Sequence, residues 1–350
     1  MTDPFARLDA MLVLRLRVQN ANAVSSPLTW GFPAPSAFLG FVHALERRLA
    51  RSHAVSFPGV GIVCHAFEAQ TFRPNRRQHR IFTQTRNPVF LKREASKFIA
   101  QGTPAAIVEE GRAHLDVSLV IAVKAFLEDT AQEDALAEAA LELALSMRLA
   151  GGSIFPAQSR NAAARWISLP GGAEVRRREA WLRFRYRLLP GFALVHRPDL
   201  LAEELLRRRV GDGEVNASTE ANANVLDALL DIASLHHLPP AGEGADGPAD
   251  WHLQQRNGWL VPLPIGYAGL SPLYEPGEVA GARDPTVPFR FVESLYSLGQ
   301  WVAPHRVQRL EQLFWCSSTD PQQGLYRCDN RYAELNEPLS SPEFPSLQGV

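Results

Sequence analysis

From Leu12 to Gln19 the chain reads LVLRLRVQ, apolar residues alternating with polar ones from Leu14 onward, the two-residue period of a half-buried strand. The period then changes. In FLGFVHALERRLARS, Phe38, Phe41, Val42, Leu45 and Leu49 fall on one helical stripe, with Pro35 just before it and Ser36 placed as the N-cap. Strand-like sequence returns with VGIVCHAFEAQTF from Val60, and again with AAIVEEGRAHLDVSLVIAVKAF, rich in β-branched residues. An alanine-leucine helix is expected from Gln132 to Leu149, and SIFPAQ after it reads as one more strand. Strand, helix, strand, strand, helix, strand is the order of a ferredoxin-like or RRM-type α+β domain, here with a long basic insertion between the two middle strands.

The remainder is less periodic. LLPGFALVH reads as a strand, PDLLAEELLRRRV and NVLDALLDIASLHHL as helices, and AGEGADGPAD as a surface loop. In WLVPLPIGYAGLSPLYEPG, Pro262, Pro264, Pro272 and Pro276 remove ladder donors, which argues against central strands. A helix is expected over PHRVQRLEQLF, from Pro304 to Phe314, and the polar tail after Ala333 is expected to be disordered. A chain of 350 residues exceeds the usual single domain. The division expected is a core over residues 1–197 and an irregular helical and proline-rich lobe over 198–350.

Net charge is −1, against the basic excess of a stand-alone nucleic-acid binder, but the charges are segregated. Every charge from Arg73 to Arg93 is positive, whereas the stretch from Glu128 to Glu142 is purely acidic. A second basic run from Arg176 to Arg187 carries Trp181, Phe184 and Tyr186 between its cations. One polyanionic partner and separate protein neighbours would account for such a pattern; so would ordinary solvated faces. The three cysteines, Cys64, Cys316 and Cys328, form no CxxC pair, which speaks against a disulfide framework and against a zinc site. A reducing cytoplasm is expected, with no membrane span and no signal peptide at the start.

Several segments offer chemistry. In RLAGGSIFP, Gly151 and Gly152 either end a helix or let backbone amides approach a phosphate, with Arg148 and Ser153 beside them. NANAVSSPLTWG offers Asn20, Asn22 and Ser26 for hydrogen bonding and Trp30 for stacking on a base, or simply satisfies its own turns. Arg77, Arg86 and Asn87 lie in the basic insertion, a protruding arm suited to phosphate or to subunit docking. In EEGRAHLD, Arg112 is a further candidate cation, and Glu109, Glu110 and Asp116 read as a salt-bridged sheet face rather than a metal site. Lone His43, His65 and His114 could serve a metal-independent ribonuclease, but no spacing unites them with a Tyr or Lys. No phosphate-binding loop, nucleophile elbow or zinc-protease signature is present, and neither cofactor nor metal is expected.

The blocks QNANAVSSPLTWGFPAPSAFLGFVHALERR, TRNPVF, TPAAIVEEGRAHLDVSLVIAV, MRLAGGSIFP and NGWLVPLPIGYAGLSPLY, in this order along most of the chain, resemble the second Csy subunit of type I-F CRISPR surveillance complexes. The resemblance implies an RRM-like RAMP-superfamily fold that holds the 5′ handle of the guide RNA (crRNA) without cutting it. It implies a heterodimer with the large Csy subunit, contact with the first backbone subunit through a β-hairpin thumb at about residues 73–103, and only indirect contact with target DNA. A glycine-rich loop would correspond to Arg148 through Pro156. Two other readings are a RAMP-type endoribonuclease that processes repeat RNA without metal, and an adaptor that never touches RNA.

Overall fold

A computed structural model describes residues 3–75, 79–86, 96–97, 99–102, 107–109, 111–157, 163–171, 174–210, 222–238, 251–254, 256 and 258–336. β1 (Ala10–Asn22) begins the central sheet. A small hairpin of β2 (Val24–Ser26) and β3 (Thr29–Trp30) leads to α1 (Pro35–Leu49). Ala34, not Ser36, caps this helix, and no side chain bonds its first turn. Pro35 holds its neighbour extended and itself occupies the first helical position, where a missing N–H costs nothing.

β4 (Val55–Ala69) pairs antiparallel with β9 (Arg112–Ala125). Between them, β5 (Thr71–Phe72) pairs with β6 (Ile81–Phe82), and β7 (Gln84–Arg86) with β8 (Ile107–Glu109). α2 (Thr130–Leu145) is capped by Asp129, whose carboxylate accepts from the Gln132 amide at 2.8 Å. It ends at Ser146, earlier than expected, and the glycine pair is not its stop. β10 (Arg148–Leu149) and β11 (Gly152–Pro156) instead form a hairpin whose two-residue turn, Ala150 and Gly151, has φ of 48° and 75°. That double left-handed turn matches the twist of the paired strands.

The strands lie in the order β11, β1, β9, β4, each antiparallel to its neighbour. Alternation sorts β1: Leu12, Leu14, Leu16 and Val18 face a core shared with Phe38 and Leu45 of α1 and Leu136 and Ala140 of α2. Met11 and Val13 face a second core on the opposite side. β9 alternates in its first half and is buried on both faces from Val117 to Val123, with Leu119, Ile121 and Val123 in the first core and Val120 and Ala122 in the second, so Leu119 to Val123 is a continuous apolar run. β12 (Ala164–Ser168) pairs with the first half of β1, and α3 (Glu174–Phe184) places Trp181 and Phe184 in the second core.

The other edge of β4 is shared. β13 (Phe192–His196) pairs at Val63 and Cys64. After α4 (Pro198–Val210), α5 (Val225–Ala233) and the pair β14 (His237–Leu238) and β15 (His252–Leu253), four more strands follow: β16 (Trp259–Gly269), β17 (Val292–Val302), β18 (Phe314–Asp320) and β19 (Leu325–Asn330). β18 returns to β4 at Val60 and Gly61, so β4, β13, β17, β16, β19 and β18 form a closed antiparallel circuit. One sheet thus runs across residue 197. A last helix, α6 (Tyr332–Asn336), enters the segment expected to be disordered.

Two expectations for this half are corrected. β16 is a strand between β17 and β19 despite its prolines. Pro262 and Pro264, two residues apart, turn their nitrogens to the same edge, and the edge away from β17 is paired only at Gly266, Tyr267 and Ala268. The Pro304–Phe314 segment forms two short 3₁₀ turns, Pro304–Arg306 and Leu310–Gln312, rather than one helix. The Val307 carbonyl between them is claimed by Trp181 Nε1 and Arg185 Nη1, both at 2.9 Å.

Buried polar groups pin the circuit. Asn330 donates to the carbonyls of Gln312 and Phe314 and accepts from the amides of His196 and Tyr332, all within 3.2 Å. His196 is buried, with Nε2 2.8 Å from the Ser297 hydroxyl, and burial lowers its pKa to about 4. An unfolded histidine binds its proton near 6.5, so the unfolded state takes up more protons between these values, and stability falls as pH drops from about 6.5 toward 4. His196 alone should cost about 2–3 kcal/mol at pH 4.5 relative to pH 7.5. Urea midpoints at both pH values should diverge less for His196→Gln; an equal divergence would refute this.

The thiols are equally constrained. Burial pushes Cys64 and Cys328 up to about 12 and Cys316 to about 11. At pH 8 the native protein should therefore react slowly with a disulfide reagent, and all three thiols should react promptly in guanidinium. Rapid native titration would contradict their placement.

Candidate nucleic-acid interface

Beyond Val18 the register between β1 and β9 shifts, and Asn20 takes a left-handed φ of 58°. Its groups are used in that bend: the side-chain oxygen accepts from Gln70, the amide donates to His114 Nδ1, and the carbonyl accepts from Arg112 Nη1 at 3.4 Å. Asn22 closes a turn with both ends of its amide, donating to the Val24 carbonyl at 2.8 Å and accepting from the Val24 N–H at 3.1 Å. Ser26 is buried in the β2–β3 hairpin, where its hydroxyl accepts from Leu28 and Thr29 amides. These three side chains build the local fold first.

The bend opens a cleft of about 830 Å³ lined by Asn22, Ser36, Arg112, Gly151, Tyr267 and Tyr326, among others. Four parts of the fold meet there: the ends of β1 and β9, the first turn of α1, the β10–β11 turn, and the β16–β19 pair. Asn22, Arg112 and Gly151, separate in sequence, are thus brought together. Among the described residues no carboxylate lines the cleft. Arg112 and the positive end of the α1 dipole give it a potential that favours anions.

Arg148 is exposed beside the cleft and donates to the Gly151 carbonyl at 3.2 Å. Gly152 is buried against β1: a Cβ there would stand 2.7 Å from the Gln19 carbonyl oxygen and 2.8 Å from the Ala21 nitrogen. It is glycine so that the hairpin can abut the strand. Ser153 pairs with Gln19 and Arg148 in the ladder. Trp30 is 59% exposed, but its ring lies edge-on to Phe82 and faces a different groove. Arg86 ends β7, while Arg77, Asn87 and Glu110 lie outside the described residues.

Tyr267 and Tyr326 were not legible as site residues. They face each other across the β16–β19 ladder with ring centroids 6.3 Å apart and planes 29° from parallel. Tyr267 lines the cleft and is 41% exposed, so part of its ring meets solvent there. Burial pushes the Tyr326 phenol up to about 12, which keeps it protonated near neutral pH. The second basic run divides differently from its sequence pattern. Trp181 and Phe184 are core residues and Arg185 is buried, leaving Arg176, Arg178, Arg183 and Arg187 exposed.

His65 and His114 are engaged in the fold, while His43 is exposed on α1. His65 Nδ1 lies 2.6 Å from the Pro190 carbonyl and Nε2 2.7 Å from the buried Ser118 hydroxyl. Since a carbonyl only accepts, Nδ1 carries the proton and Nε2 accepts from serine. Burial holds the His65 pKa below its ordinary value. Among the described residues no group of three His, Cys, Asp or Glu side chains could hold a metal ion, and no helix is long and apolar enough to cross a membrane.

A sequence profile described as CRISPR-associated protein (Cas_Csy2) matches residues 11–328. The chain belongs to the Csy2 family. A relative from Pseudomonas aeruginosa (strain UCBPP-PA14), CRISPR-associated protein Csy2, is 47% identical over 337 residues, which cover 93% of this chain and 95% of the relative. The span matched to the Csy2 family contains every cleft residue named above. Membership places the chain among CRISPR-associated proteins.

Proposed function

We propose that this Csy2-family chain is a non-catalytic scaffold subunit of a cytoplasmic type I-F CRISPR surveillance complex, and that it holds the 5′ handle of the guide RNA in the cleft between α1 and the β10–β11 turn. The observation that carries this reading is the convergence of Arg112, the α1 N-terminus and the Gly151 turn with a tyrosine pair, around a cleft with no carboxylate among the described residues. Phosphates need the first set, and unpaired bases suit the second. We assign residues 10–156 to the ferredoxin-like, RAMP-type class. Support comes from the spatial order β11, β1, β9, β4, with both helices packed on one face. The arm from β5 to β8 is the proposed thumb toward the first backbone subunit, and the exposed acidic face of α2, with Asp134, Glu138 and Glu142 four residues apart, is a surface for a protein neighbour such as the large Csy subunit.

The alternative, a metal-independent ribonuclease, gains little from the histidines: both ring nitrogens of His65 are engaged, and His114 is tied to Asn20. The test is labelled repeat RNA incubated with the purified chain and with the assembled complex. Binding without cleavage products is expected. Cleavage that disappears in His114→Ala would replace this reading with the enzymatic one.

A further inference from the structure

A second groove, of about 750 Å³, lies between the β2–β3 hairpin, the end of β4 and β16. Trp30, Phe32, Phe67, Phe192, Trp259 and Trp301 line it. Four of these rings are strongly exposed: Trp30 59%, Trp259 58%, Phe192 44% and Phe67 40%. The rings also brace one another. Phe32 meets Trp301 at 4.8 Å, Phe192 meets Trp259 at 5.6 Å, and Trp259 meets Trp301 at 6.0 Å. Clustered, preorganised aromatic surface of this kind marks a docking site rather than scattered surface hydrophobicity.

Charge narrows the occupant. Among the described residues no Arg, Lys, Asp or Glu lines the groove, and His65, the one imidazole among them, is committed to Pro190 and Ser118. A nucleic-acid strand would bring phosphates with no cation among the lining residues to meet them. Addition of a strand to β16 is disfavoured as well, because Pro262 and Pro264 have no N–H to offer along that edge. What remains is recognition by side chains. We propose that the groove receives an uncharged segment of another protein subunit, which inserts one or two large aliphatic or aromatic side chains between the β2–β3 hairpin and β16. The proposal rests on the reading that this chain works within a multi-subunit assembly, and it is independent of where RNA binds.

The full chain carrying the photo-crosslinker p-benzoylphenylalanine in place of Phe67 is co-expressed with the other proteins of its CRISPR locus and guide RNA, and the purified assembly is irradiated. A crosslink to an apolar segment of a different subunit is expected. Phe67→Asp and Trp30→Ala should each weaken association with that subunit by about 30-fold or more, the scale of an interface hot spot, with unchanged circular dichroism. A crosslink to RNA, to a second copy or to residues 337–350 of the same chain would overturn the proposal. So would a complex that assembles without any crosslink and tolerates both substitutions. A chain that co-purifies with no other subunit would instead overturn the assembly reading, and the groove's role with it.

Discussion

Replacing Arg112 and Arg148 together by alanine is expected to weaken binding of repeat-derived RNA by about two to four orders of magnitude. The two guanidinium groups flank the same cleft from different elements, Arg112 at the start of β9 and Arg148 in the β10–β11 hairpin. Each already makes one backbone contact, to Asn20 and Gly151 respectively. A guanidinium has five N–H donors in a planar fork, a geometry that suits bidentate contact with phosphate oxygens. A hydrogen bond to a charged group contributes about 1.5–3 kcal/mol, and two independent ones about 3–6 kcal/mol. Salt dependence gives a second readout. Losing two phosphate contacts should reduce the slope of log affinity against log salt by about 1.4 for a single strand. Fluorescence anisotropy at several salt concentrations measures both quantities. Retained affinity with an unchanged slope would remove RNA from this cleft, whereas weaker binding with an unchanged slope would mean that the hairpin had merely shifted.

Trp315→Ala should cost about 3–5 kcal/mol of unfolding free energy, a large share of what holds an ordinary domain together. Trp315 is fully buried, pairs with Val60 where β18 rejoins β4, and donates from Nε1 to the Leu194 carbonyl of β13 at 2.8 Å. This one residue thus joins the three strands at which the circuit closes, its backbone on β4 and its side chain on β13. Its removal leaves a cavity and a buried carbonyl without its donor. Trp315→Phe keeps most of the volume and loses the hydrogen bond, so it should cost less than the alanine variant. Urea denaturation followed by circular dichroism measures both. A loss below about 1 kcal/mol for the alanine variant would show that the circuit unfolds apart from the central sheet.

The first half of the chain was largely legible in its residues. LVLRLRVQ and the stripe from Phe38 to Leu49 stand where their periods place them, and the helix expected over Gln132–Leu149 is present but ends at Leu145. Errors occurred where local signals were ambiguous. Two glycines after a helical stretch suit a helix stop and a tight hairpin turn equally well, and only pairing of β11 with β1 decided for the turn. The prolines of β16 suggested irregular structure because sequence does not say which edge of a strand will lack a partner.

The candidate site divides in the same way. Asn22, Arg112 and Gly151 carried a signal in their residue type and setting, while neither Tyr267, within the NGWLVPLPIGYAGLSPLY block, nor Tyr326 carried one pointing to this cleft. By itself the sequence determined the main strands and helices of the central sheet through residue 156 but not the β2–β3 and β10–β11 hairpins, along with the stripes that face the core, the segregation of charge and the family. Periodicity, capping and composition act between near neighbours, so they can be read along the chain. Tertiary structure alone decided that β13 and β18 share one edge of β4, that Trp315 locks that junction, and that a tyrosine pair from the second half completes a cleft begun in the first. Those outcomes depend on which distant strands find each other's free edges, and that choice is made by the burial and hydrogen bonding of the whole sheet.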